Sequence, residues 1–315
     1  AGPFANNFAA RTNMNFNDAS TFRYPAPGAQ TVVNTVASNP YGNLVVTNAS
    51  KTVGGDVYVS NNFSAYDNNL PMAANTLFMT DFNAAATYGD GIEVVGRMNR
   101  TMTSGAPLTF NNQNTIVTIT GGTAPTTMTF NVQPGTAPLQ YTATTDVNRK
   151  ITVDYPGTAP WTATVRAGYK TSDIPGAWAG AGTSENDIRD YEADATAAEN
   201  MGTGFAYTRG TTGTVHYVEL QGIRSTAGTV DGLADAFFAN GNDLLLRSGP
   251  TIFYTINNGR WSNPNTWDEG MEPGANDNAV VNHTVHVGYR RDGIDGTTPN
   301  GRIREGQAAG TKSAL

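Results

Sequence analysis

The chain has 315 residues and a net charge of −7 at neutral pH, with 14% charged residues beside 35 glycines and 16 prolines. The negative charge argues against a nucleic-acid partner, because there is no basic patch that would displace counterions from phosphates. The lack of cysteine excludes disulfides and thiolate metal sites, and without a run of 18 apolar residues the sequence predicts no transmembrane segment.

The composition favours an all-β fold of two or three modules. Sparse charge and frequent turn residues are typical of many short strands, whereas long helices draw on Glu, Lys, Leu and Ala. The chain begins Ala1-Gly2-Pro3, as cleavage after a small residue would leave it. The sequence therefore predicts a mature protein that is secreted to the extracellular space or the cell surface.

Residues 1–30 predict an extended N-terminal arm. Its aromatic residues stand among asparagines without a sustained period of 2 or 3.6, and they are Phe4, Phe8, Phe16 and Phe22. Terminal segments of this kind fray unless something holds them. Two interpretations stay open, because the arm either wraps its own body or contacts a neighbouring chain.

Residues 31–112 predict a β-rich module. Short apolar runs at 44–46, 57–59, 77–79 and 92–95 are separated by segments rich in Gly, Asn and Asp. Runs of β-forming residues bounded in this way are typical of strands and turns. Their spacing suits the coils of a β-solenoid or the strands of a sandwich, and periodicity alone does not choose between them.

Residues 113–250 predict an antiparallel, immunoglobulin-like β-sandwich. Gly-Thr-Ala-Pro occurs at 122–125, 135–138 and 157–160, and each copy precedes alternating apolar and polar residues. The predicted strands cover 128–132, 139–143, 151–155 and 161–169. Since side chains at i and i+2 share one face, each strand has a buried and a wet face. We expect these strands to form a meander.

The rest of the chain is less regular. Residues 171–200 predict irregular or strand-like structure instead of a helix, because their apolar face is thin and glycines crowd both ends. Further strands are expected at 215–220, 243–246 and 252–256. Residues 251–315 predict a short C-terminal β module and a polar tail.

Two phrases resemble large secreted, multi-modular, β-rich cell-surface proteins of Bacteroidetes-type bacteria. They are YGNLVV at 41–46 followed by KTVGG at 51–55, and GRWSNPNTW at 259–267. The resemblance implies an exported, adhesive or scaffolding protein that is rarely an enzyme, and in it the second phrase opens a β-helical module. The C-terminal sorting domain usual in that group is not evident. No functional residues carry over, because the shared phrases belong to the scaffold.

The sequence offers no credible catalytic centre and one candidate metal site. His283 and His286 lie in an alternating segment that predicts a strand, which would place them on opposite faces. An acidic run contains the candidate Ca²⁺ ligands Asp187, Asp190, Glu192 and Asp194, preceded by Glu185. A solvated face explains that run equally well, so the expectation is no cofactor, with Ca²⁺ as the open alternative.

Three aromatic side chains are candidates for stacking on sugar rings, namely Tyr66, Trp178 and Trp261. Aromatic residues of β-sandwiches more often fill the core or plug a turn. A glycan platform therefore stays an alternative to a structural role.

These observations predict a structural subunit of an extracellular filament or surface assembly, which binds copies of itself by strand addition through its terminal segments. The alternatives are a monomeric cell-surface adhesin that binds glycans and, less favoured, an enzyme that degrades polysaccharides. The expectation is that the chain is not an enzyme.

Overall fold

The computed structural model describes residues 19–178, 188–196, 198–200, 207–225, 228–230, 233–235, 239–248, 252–267, 273 and 278–286. Within these ranges the chain is built of strands and turns, so the all-β prediction is confirmed. The helical segments of the described ranges are three-residue 3-10 turns at Thr171–Asp173, Gly176–Trp178 and Pro264–Thr266. None of the described helices has the length and apolar character needed to cross a membrane.

The first section is a β-solenoid. Its strands are β1 (Thr21–Tyr24), β2 (Gln30–Val32), β3 (Tyr41–Val46), β4 (Lys51–Val53), β5 (Val57–Ala65), β6 (Leu70–Met79), β7 (Ala85–Tyr88) and β8 (Val94–Thr101). Their pairings with one another are all parallel: β1 with β3, β3 with β5, β5 with β6 and β7, β6 with β8, and β2 with β4. Successive strands therefore stack as coils, and between the two architectures left open for the module predicted at 31–112, the solenoid is the one formed as far as Thr101.

Ladders of like side chains join the coils. Asn62 Nδ2 donates a hydrogen bond to Asn43 Oδ1 at 2.8 Å, and the rings of Tyr58 and Phe78 stack with their centroids 4.4 Å apart. The alternate residues of the same strands point inward and are buried. The phrase at 41–55 thus forms one coil, and it acts as scaffold.

The second section is a β-sandwich. Its strands are β9 (Leu108–Thr109), β10 (Ile116–Gly122), β11 (Thr127–Pro134), β12 (Arg149–Asp154), β13 (Trp161–Lys170), β14 (Arg189–Ala193), β15 (Ala198–Asn200), β16 (Tyr207–Thr212), β17 (Val215–Arg224), β18 (Gly228–Val230), β19 (Leu233–Asp235) and β20 (Asp243–Arg247). One sheet has the order β8-β11-β12-β20-β14-β15, and the other has the order β16-β17-β13-β10-β9. Strands β18 and β19 pair with each other in a separate hairpin.

Strand β8 belongs to both sections. It pairs in parallel with β6 of the solenoid and antiparallel with β11 of the sandwich, so that Met98 lies opposite both Leu77 and Phe130. One cluster of buried apolar side chains accordingly runs from Val32 to Leu246. The solenoid and the sandwich share a sheet and a core.

The sandwich strands confirm most of the alternation pattern and correct it at one place. Residues 127–134, 149–154 and 161–170 are strands, whereas the predicted strand at 139–143 is absent. Leu139 donates its backbone N–H to Asp243 Oδ2 instead of to a strand, and Gln140 has a left-handed φ of 58°. The alternating apolar and polar residues of this segment therefore belong to a loop that is hydrogen-bonded to β20.

The predicted meander was also wrong in its extent. Strands β11 and β12 are neighbours, but β13 leaves that sheet and pairs with β10 and β17 in the opposite one. The strand-like interpretation of 171–200 is confirmed for the described part, which contains β14 and β15. Part of the N-terminal arm, in contrast, forms regular structure, because β1 lies within residues 1–30.

The C-terminal module is a pair of parallel coils. It contains β21 (Ile252–Tyr254), β22 (Gly259–Arg260), β23 (Asn278–Val280) and β24 (Val285–His286), with β21 parallel to β23 and β22 parallel to β24. Its core contains Phe253, Trp261, Trp267 and Val285. Trp267 Nε1 donates to the Trp261 carbonyl at 2.8 Å, so the tryptophans of the second phrase close this small core.

Candidate functional site

Among the described residues, the first coil of the solenoid presents an open strand edge. Strand β1 ends the large sheet and pairs only with β3 among the described strands, and β2 pairs only with β4. The Asn43 N–H donates to the Ser20 carbonyl at 2.8 Å, and the Thr47 N–H donates to the Tyr24 carbonyl at 3.3 Å. Since successive residues of a strand direct their amide groups to opposite sides, Thr21 and Arg23 direct theirs to the open edge.

Phe22 anchors this edge strand to its own chain. Its ring centroid lies 5.1 Å from that of Tyr41, whose hydroxyl is 2.9 Å from the hydroxyl of Tyr24. Of the four predicted assembly-arm residues, Phe22 therefore belongs to the fold. Phe4, Phe8 and Phe16 lie outside the described residues.

The C-terminal module presents a similar edge. Strands β23 and β24 pair only with β21 and β22 within the part of the chain that the structure describes. Strand β23 contains no charged residue and no proline, which are the usual devices that keep an edge from pairing. Val280 at its end is 37% exposed. Both edges can chemically accept another strand, because their amide groups point outward without a strand partner in those ranges.

The predicted calcium ligands do not form one site, because those that the structure describes contact different parts of the protein. Asp187 lies outside the described residues, as does Glu185. Asp190 and Glu192 lie opposite Leu246 and Leu244 of β20 and are buried, so the solvated-face interpretation is wrong for both. Burial raises the pKa of Asp190 well above its usual value, while the charge of Arg209 opposes that shift.

Glu192 and Asp194 both accept hydrogen bonds from donors of the protein itself. Asn242 Nδ2 donates to Glu192 Oε1, and Asp194 Oδ1 accepts hydrogen bonds from the Thr196 N–H at 2.6 Å and hydroxyl at 2.7 Å. The described residues contain no group of three or more His, Asp or Glu side chains that could hold a metal ion. Of the acidic run, Asp190 and Glu192 therefore lie in the sandwich interior, and Asp194 lies in a local turn.

The histidines take structural positions. In the described part of the alternating segment that contains His283 and His286, only β24 is a strand, so His283 lies before it, with Nδ1 3.0 Å from Thr255 Oγ1. His216 on β17 stacks on Tyr169 at 5.4 Å between ring centroids. The opposite-face argument for His283 and His286 does not apply, because His283 is not in the strand.

Two of the three proposed sugar-stacking residues are buried. Trp178 and Trp261 are each 7% exposed, and only Tyr66, at 37%, presents a ring to solvent. The sugar-stacking alternative therefore fails for both tryptophans, and the favoured structural interpretation holds for them, because they pack into the main core and the C-terminal core respectively.

Sequence reasoning missed a buried cluster of charges at the junction of solenoid and sandwich. Arg149 of β12 contacts Glu93 and, through Nε at 3.0 Å, Asp173 Oδ2. Lys170 Nζ lies 2.7 Å from Glu93 Oε1. Two cations and two carboxylates balance one another, so this cluster ties together the last coil, β12 and the end of β13.

A second missed residue is Arg100 of β8. Inward residues of this strand alternate as Val94, Gly96, Met98 and Arg100, and all four are buried. That register was visible in the sequence and was the signal that this arginine lies on the core face.

Comparison of the chain with protein-family models, with curated proteins and with solved structures finds no match in any of the three.

Proposed function

We propose that the protein is a structural subunit of an extracellular assembly, in which copies join head to tail through the ends of their parallel coils. The last described coil of the C-terminal module, β23 and β24, would stack on β1 and β2 of the next copy. The observation that supports this proposal most is the open edge of β1, where Thr21 and Arg23 direct their amide groups away from β3.

The two ends are suited to each other in form. Each presents two short strands joined by a corner, and each coil continues its stack in parallel. A strand added in this way gains main-chain hydrogen bonds along its length. Because the two surfaces differ, the contact is heterologous and does not close into a dimer, so repetition gives a fibre.

The sequence phrases that resemble secreted Bacteroidetes surface proteins support an extracellular localisation of the assembly. Those phrases form the second solenoid coil and the tryptophan-containing core of the C-terminal module. Both are scaffold elements. The proposed role is therefore that of a structural subunit whose main binding partner is another copy of the same chain.

The decisive experiment replaces one residue of the open edge. Arg23→Pro removes an outward N–H from β1 without removing a hydrogen bond to β3, and Arg23→Ala removes the same charge but keeps the N–H. We expect negative-stain microscopy to show polymers for the wild type and Arg23→Ala, and folded monomers for Arg23→Pro. Circular dichroism would check that the proline variant is folded.

Deletion of residues 1–18 tests whether the segment before β1 makes the contact between copies, because the deletion keeps β1 itself intact. Assembly that survives Arg23→Pro but is lost on this deletion would assign the contact to the segment that contains Phe4, Phe8 and Phe16. A wild-type protein that stays monomeric at high concentration would contradict the assembly proposal, and glycan binding by that monomer would favour the adhesin alternative.

A further inference from the structure

A cavity of about 490 Å³ lies between β7, the end of β8 and the segment that leads into β9. Residues 82–86 form one wall, and residues 103–104 and 106–109 form the other, with Arg100 also in contact with it. Its volume lies in the range of small-molecule sites, which is about 300–1,000 Å³. The lining side chains are mostly small, polar and apolar surface contribute about equally, and Thr103 and Ser104 supply hydroxyl groups.

Arg100 is the charged residue of this cavity. The side chain belongs to a residue that is only 1% exposed, and it donates to the Thr109 carbonyl at 2.6 Å from Nη1 and to the Ala84 carbonyl from Nη2. Its Nε–H is buried and has no acceptor among the described residues. The guanidinium is thus held in place by two backbone carbonyls while part of its donor capacity is unused.

The positive charge of Arg100 has no counterion within the described ranges. No acidic residue lines the cavity, and no carboxylate lies within ion-pair distance of Arg100 in those ranges. Tyr88 is close by, but burial raises its pKa, so its phenol stays neutral and hydrogen-bonds to the Phe110 carbonyl.

The other fully buried arginine of the described core shows what is missing. Arg149 contacts the carboxylates of both Glu93 and Asp173. A buried charge is costly unless it is paired, and burial accordingly lowers the pKa of Arg100. Arg100 differs from Arg149 in that a cavity, and not a side-chain carboxylate, lies beside it.

We propose that this cavity binds the carboxylate of a small organic acid, with Arg100 as its counterion. A guanidinium is planar and presents paired N–H donors that match the two oxygens of a carboxylate. One cation balances one negative charge, which favours a monoanion over a phosphate dianion. The apolar walls formed by Ala84, Ala106 and Leu108 contact the organic part of the ligand.

The ligand that carries the carboxylate is an aliphatic acid or a sugar acid, and the residues that line the cavity can accommodate either class. Isobutyrate presents a small branched apolar group, whereas glucuronate presents hydroxyls that can reach Thr103 and Ser104. Comparison of these two probes separates the sources. Isobutyramide, which has the shape of isobutyrate without its charge, measures the contribution of the charge itself.

Titration calorimetry of the full chain tests the proposal. We expect isobutyrate, glucuronate or both to bind, with isobutyramide and inorganic phosphate weaker than the better acid by about tenfold or more, as loss of a charged hydrogen bond implies. Equal binding of isobutyrate and isobutyramide with no binding of glucuronate, or tighter binding of phosphate than of both acids, would overturn the proposal. Absence of binding by both acids would overturn it as well.

Two variants assign the binding to this cavity. Arg100→Gln removes the charge and keeps an amide donor, and we expect about tenfold weaker binding or more. Ala106→Phe fills the cavity and leaves Arg100 in place, so it tests the site even if the first variant unfolds. Ala37→Phe, at an exposed turn between β2 and β3, is the matched control and should bind as the wild type does. Unchanged binding by Ala106→Phe would refute the assignment.

Discussion

Arg149 Nη2 lies 2.6 Å from Glu93 Oε2, and neither side chain is accessible to solvent. Glu93 immediately precedes β8, the last strand of the solenoid, and Arg149 begins β12 of the sandwich. The ion pair therefore joins two sections that the sequence suggested as separate modules. Because the same sheet and core also run through this junction, the two sections should unfold together.

Replacement of Arg149 should be among the most destabilising changes in the protein. Arg149→Met leaves Glu93 and Asp173 buried with one cation fewer, and such losses cost about 3–5 kcal/mol. The matched control is Arg97→Met, whose partner Asp154 is 3.5 Å away and whose pair is largely exposed, so its loss should cost less than about 1 kcal/mol. Urea unfolding measures both, and equal losses would contradict the role of the cluster.

Local alternation predicted much of the sandwich, because a period of 2 is contained in a few consecutive residues. It predicted β13 and its inward side chains from Trp161 to Tyr169, which are buried. It failed at Leu139, whose backbone N–H donates a hydrogen bond to Asp243, a distant residue in the sequence, and this contact decides the conformation. The stacking of coils, such as Leu44 beside Phe63, also depends on contacts between distant residues.

The candidate sites were less predictable than the strands. Arg100, a charged residue in an apolar register, gives no local sign of what it contacts, and neither does Glu93 just before the strand. Trp178 and Trp261 were equally ambiguous, since an aromatic residue beside glycine and proline is found both in cores and on surfaces. The open edge of β1 follows only from the three-dimensional order of the sheet.

Asp190 should make the protein less stable as the pH rises. Burial raises the pKa of its carboxyl in the folded state, whereas the unfolded chain releases this proton near pH 4. Between those two values the folded state binds more protons, so the free energy of unfolding falls with increasing pH. Asp190→Asn removes this dependence. Urea unfolding should be measured from pH 4.5 upward, over a range of about three pH units. With increasing pH, the free energy of unfolding of the variant should rise relative to that of the wild type. A constant difference would contradict the prediction.

Asp90 should have the opposite dependence. Its carboxylate accepts hydrogen bonds from the Thr214 N–H at 2.7 Å and hydroxyl at 3.1 Å, which link the end of a solenoid coil to the β16–β17 turn. The backbone hydrogen bond is the main cause of its lowered pKa. The stabilisation is therefore present above about pH 4 and is lost as the pH falls through the folded-state pKa. Asp90→Asn should unfold more easily than the wild type at neutral pH, and thermal unfolding should show the difference shrinking below about pH 4. A difference that grows with acidification would argue against this link.

Gly122 should tolerate no side chain, although its neighbour Gly121 should. Gly122 opens the first Gly-Thr-Ala-Pro copy and Pro160 closes the third, and the Thr123 N–H donates to the Pro160 carbonyl at 2.9 Å. Gly122 has a φ of 72°, and a Cβ there would collide with that carbonyl oxygen and lie 2.9 Å from Trp161 Cα.

The left-handed conformation alone costs an alanine about 1–2 kcal/mol, and the collision adds to it, so Gly122→Ala should lower the free energy of unfolding by more than about 2 kcal/mol. At Gly121 the nearest atom to an added Cβ is Thr162 Cβ at 3.7 Å, an ordinary contact. Gly121→Ala should therefore cost less than about 1 kcal/mol in the same urea titration. Similar losses in the two variants would mean that the contact between the first and third copies does not restrict β10 at its end.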